Sequence, residues 1–132
     1  MAGPANPRSE ALKRVLVRRI LVIDGAMGTL LQAHRLSEED YRGERLRGWA
    51  KDVKGNHELL NLTRPDLVEA AHREYLAAGA DIVETNTFNA NRISQADYRP
   101  EALVHDINVA AARAARKAVD AVMVEEPGTR PT

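Results

Sequence analysis

The 132-residue chain contains no cysteine. Disulfide bonds and thiol nucleophiles are therefore excluded, and the chain also lacks the thiolate that many zinc sites use as a ligand. Aromatic side chains are scarce as well, with one Phe, one Trp and three Tyr. The core must consequently rest on Leu, Ile, Val and Ala, a composition that suits helices packed on a layer of strands.

The chain also lacks an excess of either charge, since 19 Lys and Arg residues balance 19 Asp and Glu residues. A net charge of zero offers no electrostatic footprint for nucleic acid or for an anionic membrane. The apolar runs are too short to span a bilayer, and residues 1–19 lack the apolar core of a secretory signal. We therefore expect a cytoplasmic protein with no nucleic-acid partner and no membrane partner.

Hydrophobic patterning predicts two successive strand–helix units. The apolar run over 20–23 ends at Asp24 and indicates a strand over 20–24 that is buried on both faces, as in a parallel sheet. A second strand is predicted over 81–85, and the long polar connection over 25–62 suggests a functional loop. This order of elements indicates an α/β fold with a parallel sheet and right-handed crossovers.

One helix is predicted in each strand–helix unit. The first would begin with Thr63 as N-cap and Asp66 three residues later, and would stop at Gly79. Its predicted apolar face consists of Leu67, Val68, Ala71, Tyr75 and Ala78. The second would begin near Pro100, with an apolar face made of Leu103, Ile107, Ala111, Ala114, Ala118 and Val122.

Small and hydrogen-bonding residues follow both predicted strands, over 24–29 and 84–89. In α/β folds ligands gather at the carboxyl ends of the strands. Gly25 and Gly28 would let backbone N–H groups approach a ligand carboxylate, while Asp24 could accept a hydrogen bond from an ammonium group. This combination suits a zwitterionic amino acid. The alternative, that Asp24 only caps its own turn, remains open.

Other chemistries find less support in the sequence. The loop after Asp24 has neither the G-x-G-x-x-G spacing nor a G-K-[ST] ending, so both nucleotide-binding motifs are absent. A phosphatase-type D-x-D loop would need an acid where Ala26 stands. The four histidines lack the spacing of metal ligands, and we interpret them as structural or solvated: His34, His57, His72 and His105. We predict no catalytic residue and no metal ligand within this chain.

Five segments, in order, resemble a known family: "VIDGAMGTLLQ" (22–32), "DYRGERL" (40–46), "KGNHELLNLTRPD" (54–66), "YLAAGADIVETNTFNAN" (75–91) and "INVAAARAAR" (107–116). Together they resemble the start of the homocysteine-binding domain of cobalamin-dependent methionine synthase. The resemblance extends over about residues 19–122. The second and third segments favour this family over the related betaine-dependent enzymes.

The resemblance implies a (β/α)₈ TIM barrel, of which this chain would form the first two βα units in truncated form. In that family a zinc ion holds the homocysteine thiolate, which attacks a methyl group on cobalamin, itself recharged from methyltetrahydrofolate. The zinc ligands are cysteines on late barrel strands, which this chain lacks. We therefore expect neither zinc nor methylcobalamin to bind this chain alone, and the remaining barrel and the folate and cobalamin domains are absent from it.

The resemblance also implies a homocysteine-binding set at the two strand ends: Asp24, Gly25, Gly28, Thr29, Asn86, Thr87 and Phe88. We expect a flexible extension over 1–18, a partial homocysteine-binding domain over 19–124 and a disordered tail over 125–132. The alternative is a non-catalytic chain, either a truncated remnant or one piece of a split enzyme that needs a partner chain.

Overall fold

The computed structural model describes residues 6–128, and helices dominate this part of the chain. In chain order they are α1 (Pro7–Leu16), α2 (Met27–Ala33), α3 (Glu38–Arg42), α4 (Leu60–Thr63), α5 (Pro65–Ala77), α6 (Arg92–Gln95) and α7 (Val104–Glu125). Short 3₁₀ turns precede α4 (His57–Leu59), follow α6 (Ala96–Tyr98) and precede α7 (Glu101–Leu103). Among the described helices, none combines the length and the apolar character needed to cross a bilayer.

The predicted fold class, an α/β unit of a (β/α)₈ TIM barrel, is wrong for this structure. Residues 20–24 and 81–85 form no strand in the described part of the chain. They meet at a single parallel bridge between Ile23 and Ile82, where the N–H of Asp24 donates to the carbonyl of Ile82 at 2.9 Å. The structure is a helical one with two extended segments in contact.

The exposure of these segments explains why the strand prediction failed. The apolar run predicts burial on both faces, yet Ile20 is 87% exposed and Ile23 is 52% exposed. A parallel strand needs paired neighbours and covered faces, and two strands alone are marginal in water. The segments are instead joined by an ion pair, in which Arg19 makes two hydrogen bonds, at 2.7 and 2.9 Å, to the carboxylate of Asp81.

The packing of α5 against α7 forms one part of the core. On α7 the predicted face is confirmed from Ile107 to Val122, since the buried residues are Ile107, Ala111, Ala114, Ala115, Ala118 and Val122. On α5 the buried residues are Val68, Ala71, His72 and Leu76, so the predicted face is correct in its first half. Tyr75 instead directs its hydroxyl towards the carbonyl of Ala26, at 3.2 Å.

Of the two helix-end signals predicted for α5, the glycine stop is correct and the N-cap is not. Gly79 follows the helix with φ +107, as expected of a glycine stop. The N-cap prediction is wrong, because α5 begins at Pro65 and Thr63 is the last residue of α4. The Thr63 hydroxyl is hydrogen-bonded to the carbonyl of Leu59 at 3.3 Å, and Asp66 pairs with Arg64 at 2.9 Å. The side chains of the predicted capping box thus serve other contacts.

The segment over 25–62, predicted to be a long polar connection, supplies much of the core. It contains α2, α3 and most of α4. Its fully or nearly fully buried side chains include Leu31, Leu36, Tyr41, Leu46, Val53, Leu59 and Leu60. The apolar residues are spread too thinly along this segment to show a helical period, but the short helices bring them to one side.

Glu38 anchors the loop that follows α3. Its carboxylate accepts hydrogen bonds from the N–H groups of Val53 and Lys54, both at 2.7 Å, and from Nε of Arg42 at 2.8 Å. Burial acts to raise the pKa of Glu38, but these three donors together lower it below its usual value. The ionised carboxylate therefore stabilises the loop.

Part of the predicted N-terminal extension is helical. Helix α1 begins at Pro7, and the side chain of Asn6 accepts a hydrogen bond from the N–H of Arg8 at 3.0 Å. None of the residues of α1 is buried. Residues 1–5 of the predicted extension and 129–132 of the predicted tail lie outside the described residues.

Candidate functional site

A cavity of about 430 Å³ lies between the segments that follow the Ile23–Ile82 bridge. It is lined by residues 25–28, by His57 and Glu58, and by residues 84–89. Five of the seven predicted site residues therefore line one cavity: Gly25, Gly28, Asn86, Thr87 and Phe88. Phe88 stands at the rim and is 94% exposed, whereas Asp24 and Thr29 are not part of the lining.

Asp24 lies behind the cavity and faces the protein. Its Oδ2 accepts a hydrogen bond from the N–H of Glu84 at 3.0 Å. Its Oδ1 is buried and has no hydrogen-bond partner among the described residues. The Asp24 charge acts on the fully buried ring of His72, whose pKa is lowered by burial and is raised to a lesser extent by Asp24. The carboxylate thus joins segment 24–29 to segment 84–89.

Two buried asparagines hold the second segment in place. The side-chain N–H of Asn61 donates to the backbone carbonyl of Asn86 at 2.8 Å. In return, Nδ2 of Asn86 donates to Oδ1 of Asn61 at 3.1 Å and to the carbonyl of His57 at 2.9 Å. Because buried polar groups must be paired, the amide nitrogen of Asn86 is committed to the protein.

A second amide pair anchors the end of the same segment. Asn56 and Gln95 exchange side-chain hydrogen bonds of 2.7 and 3.2 Å, and both residues are buried. Gln95 also donates to the carbonyl of Asn89 at 3.0 Å, while Glu58 accepts from the N–H of Asn89 at 2.9 Å. The cavity wall is therefore backed by a network of paired polar groups.

His57 occupies the opposite wall. Its Nδ1 lies 3.0 Å from the hydroxyl of Tyr41, and its Nε2 lies 3.4 Å from the amide nitrogen of Gln32. A Cβ added at Gly28 would stand 3.6 Å from Cδ2 of His57, so the ring borders the space that this glycine leaves open. Sequence reasoning set His57 aside as structural, although it lies inside the resembling segment 54–66.

A sequence model of the homocysteine S-methyltransferase family matches residues 21–127. The chain belongs to the homocysteine S-methyltransferase family. The backbone of this family member is also similar to the crystal structure of the homocysteine methyltransferase MmuM from Escherichia coli in its oxidized form, with a TM-score of 0.70 and 24% sequence identity. That match covers 92% of this chain and 38% of the MmuM chain. The family part of the resemblance is thereby confirmed.

The charges of the cavity in this homocysteine S-methyltransferase family member come from acids. Glu58 and Glu84 line it, and neither Lys nor Arg is among the lining residues. Glu58 is buried, whereas Glu84 is exposed at the cavity edge. Carboxylates in a cavity attract a cationic group such as an ammonium. Sequence reasoning assigned no role to either acid.

The residues present do not fit a zinc site of the kind that the family resemblance implies. Within residues 6–128, no group of three His, Asp or Glu side chains is placed to hold a metal ion. The sequence contains no cysteine either. What the cavity offers instead is a wall of polar side chains and backbone groups.

Proposed function

We propose that this chain is the N-terminal part of the homocysteine-binding region of a cobalamin-dependent methionine synthase. The reaction of the complete enzyme would be methyl transfer to the homocysteine thiolate to form methionine, with methylcobalamin as the methyl donor. The family match supports the homocysteine part of this proposal. The segments over 40–46 and 54–66 support methionine synthase.

The observation that carries the proposal is the meeting of two distant segments in one cavity. Gly25 and Gly28 come from one segment, and Asn86, Thr87 and Phe88 come from the other. Gly28 keeps its part of the wall free of a side chain, so that a ligand can approach the backbone closely. The buried amide pairs behind the second segment hold it in place, which is what a binding wall requires.

The proposed contribution of this chain is to bind and orient the amino acid end of homocysteine. Glu84 would face the ammonium group from the cavity edge, and Asp24 would keep Glu84 in position through the backbone N–H of that residue. Holding a reactant in a productive orientation lowers the entropic part of the barrier. No step of the methyl transfer itself is assigned to residues of this chain.

The proposal is tested by titrating L-homocysteine into the 132-residue chain, with binding followed by calorimetry and by amide NMR shifts. We expect saturable binding, with shifts concentrated at Gly25, Gly28 and residues 84–89. Glu84→Gln should weaken homocysteine binding about tenfold, because an ionic hydrogen bond becomes a neutral one. Glu39→Gln, the same change on the exposed side of α3, serves as the control and should have no effect.

The ligand 4-sulfanylbutanoic acid, which lacks the amino group, separates the proposed contact from a general loss of structure. Its binding should be the same in wild type and Glu84→Gln. Absence of saturable homocysteine binding, or shifts centred away from the cavity, would contradict the proposal.

A further inference from the structure

The cavity leaves the carboxylate of a bound amino acid without a cationic partner from Lys or Arg, since neither lines it. The carboxylate must therefore be met by neutral donors or by His57. Several of the other polar side chains are already engaged. The amide nitrogen of Asn86 donates to His57 and Asn61, and the hydroxyls of Thr85 and Thr87 are hydrogen-bonded to each other at 2.7 Å.

Tyr41 is placed to set which nitrogen of His57 carries the proton in the neutral ring. Tyr41 is 4% exposed, and burial raises the pKa of its hydroxyl, which therefore stays protonated at neutral pH. A hydrogen bond from the backbone of Gly55 acts in the opposite direction on that pKa, as expected when an N–H donates to the phenol oxygen.

A hydroxyl whose oxygen accepts from Gly55 has its own proton available for Nδ1 of His57, 3.0 Å away. A neutral imidazole that accepts at Nδ1 carries its proton on Nε2. In this arrangement Nε2 is the donor.

The Nε2 atom is also the ring nitrogen that faces Gly28. It lies 4.0 Å from the position that a Cβ at Gly28 would take. The amide nitrogen of Gln32 lies 3.4 Å from Nε2, and because an amide nitrogen only donates, it does not accept the Nε2 proton. A ligand oxygen entering beside Gly28 can therefore be the acceptor for the Nε2 proton.

We infer that His57 is a substrate-binding residue whose Nε2–H donates to the α-carboxylate of the amino acid in the cavity, and that Tyr41 is the positioning residue that sets this tautomer. The inference rests on the proposed function, since it concerns the same cavity and the same ligand. It places the carboxylate beside Gly28, where the His57 N–H can donate to it, and the ammonium group towards the negatively charged Glu84.

Three thiols test the inference on the 132-residue chain. They are L-homocysteine, 4-sulfanylbutanoic acid, which lacks the amino group, and 3-aminopropane-1-thiol, which lacks the carboxylate. His57→Leu should weaken binding of the two thiols that carry a carboxylate, L-homocysteine and 4-sulfanylbutanoic acid, about tenfold, equivalent to about 1.4 kcal/mol. It should leave binding of the aminothiol unchanged. His57→Gln, which retains an N–H donor near the position of Nε2, should recover most of the loss, and His105→Leu on the exposed side of α7 is the control.

The tautomer of His57 can be measured directly, and it would not change if Tyr41 only supported the fold. In ¹⁵N spectra of the wild-type chain, His57 should show a protonated Nε2 and an accepting Nδ1. Tyr41→Phe should shift the His57 ring towards a mixture of tautomers. It should weaken binding of the two thiols that carry a carboxylate but leave binding of 3-aminopropane-1-thiol unchanged. This measurement decides the matter even if His57→Leu does not fold.

The outcomes separate the two proposals. If the wild-type chain does not bind L-homocysteine, the proposed function and the inference both fail. If homocysteine binds and His57→Leu weakens all three thiols equally or none of them, only the inference fails. A wild-type ring protonated at Nδ1 would also overturn the inference and would leave the proposed function standing.

Discussion

Gly28→Ala should stabilise the protein and weaken homocysteine binding at the same time. Gly28 lies in the first turn of α2, and it is not among the glycines with positive φ. The added Cβ would stand 3.6 Å from Cδ2 of His57, an ordinary van der Waals distance. Since alanine restricts the unfolded chain more than glycine does, the free energy of unfolding should rise by about 0.4–1 kcal/mol.

The same methyl group would narrow the cavity at the place where a ligand oxygen is proposed to approach Nε2 of His57, which lies 4.0 Å from the added Cβ. Loss of that contact should reduce the affinity for L-homocysteine about tenfold or more, because a hydrogen bond to a charged group contributes roughly 1.5–3 kcal/mol. The two effects have opposite signs. A fall in affinity therefore cannot be attributed to unfolding.

The assay combines urea unfolding with calorimetric titration of L-homocysteine. For a chain of this size, the stabilisation corresponds to a rise in Tm of about 1–5 °C, which thermal unfolding measures. Gly48→Ala is the matched control. At that position φ is +76 and no atom lies within 4 Å of the added Cβ, so stability should fall through backbone strain while affinity stays unchanged. A Gly28→Ala protein that is more stable and binds homocysteine normally would refute the placement of the ligand.

Three further substitutions test the structure around the cavity. Glu38→Gln should lower the free energy of unfolding by about 1.5–3 kcal/mol near neutral pH. In urea titrations the difference in unfolding free energy between wild type and variant should shrink as the pH falls through the lowered pKa of Glu38, because the wild-type carboxylate then also becomes neutral. His72 has a pKa lowered by burial, so wild-type stability should fall by up to about 1.4 kcal/mol per pH unit below about pH 6.5; an undiminished slope in His72→Leu would contradict this. Asn86→Ala leaves the His57 carbonyl and the Asn61 side chain without their donor, so thermal unfolding should reveal a loss of about 2 kcal/mol or more; a loss below about 0.5 kcal/mol would count against the network.

Features that depend on neighbours along the chain were predictable from the sequence. The apolar period of α7 and the glycine stop at Gly79 are local signals, and both agree with the structure. The order of the resembling segments led to the homocysteine methyltransferase family, which the family match confirms. The prediction that residues near 25 and near 86 share a ligand site remains untested, but the structure does bring them to one cavity.

Features that depend on partners distant in the sequence were decided by the tertiary structure. An apolar run such as 20–23 becomes a strand only when other strands pair with it and other elements cover it, and here one bridge forms and the run stays exposed. Asp24 accepts from the N–H of Glu84 and is not part of the cavity lining, because folding brings these two residues, 60 positions apart in the chain, within hydrogen-bonding distance. His57 borders the cavity because Tyr41 and Asn86, which lie 16 and 29 residues away in the chain, hold its ring and its backbone in place. Sequence spacing carries no information about such contacts, since folding alone determines which distant groups come within hydrogen-bonding distance.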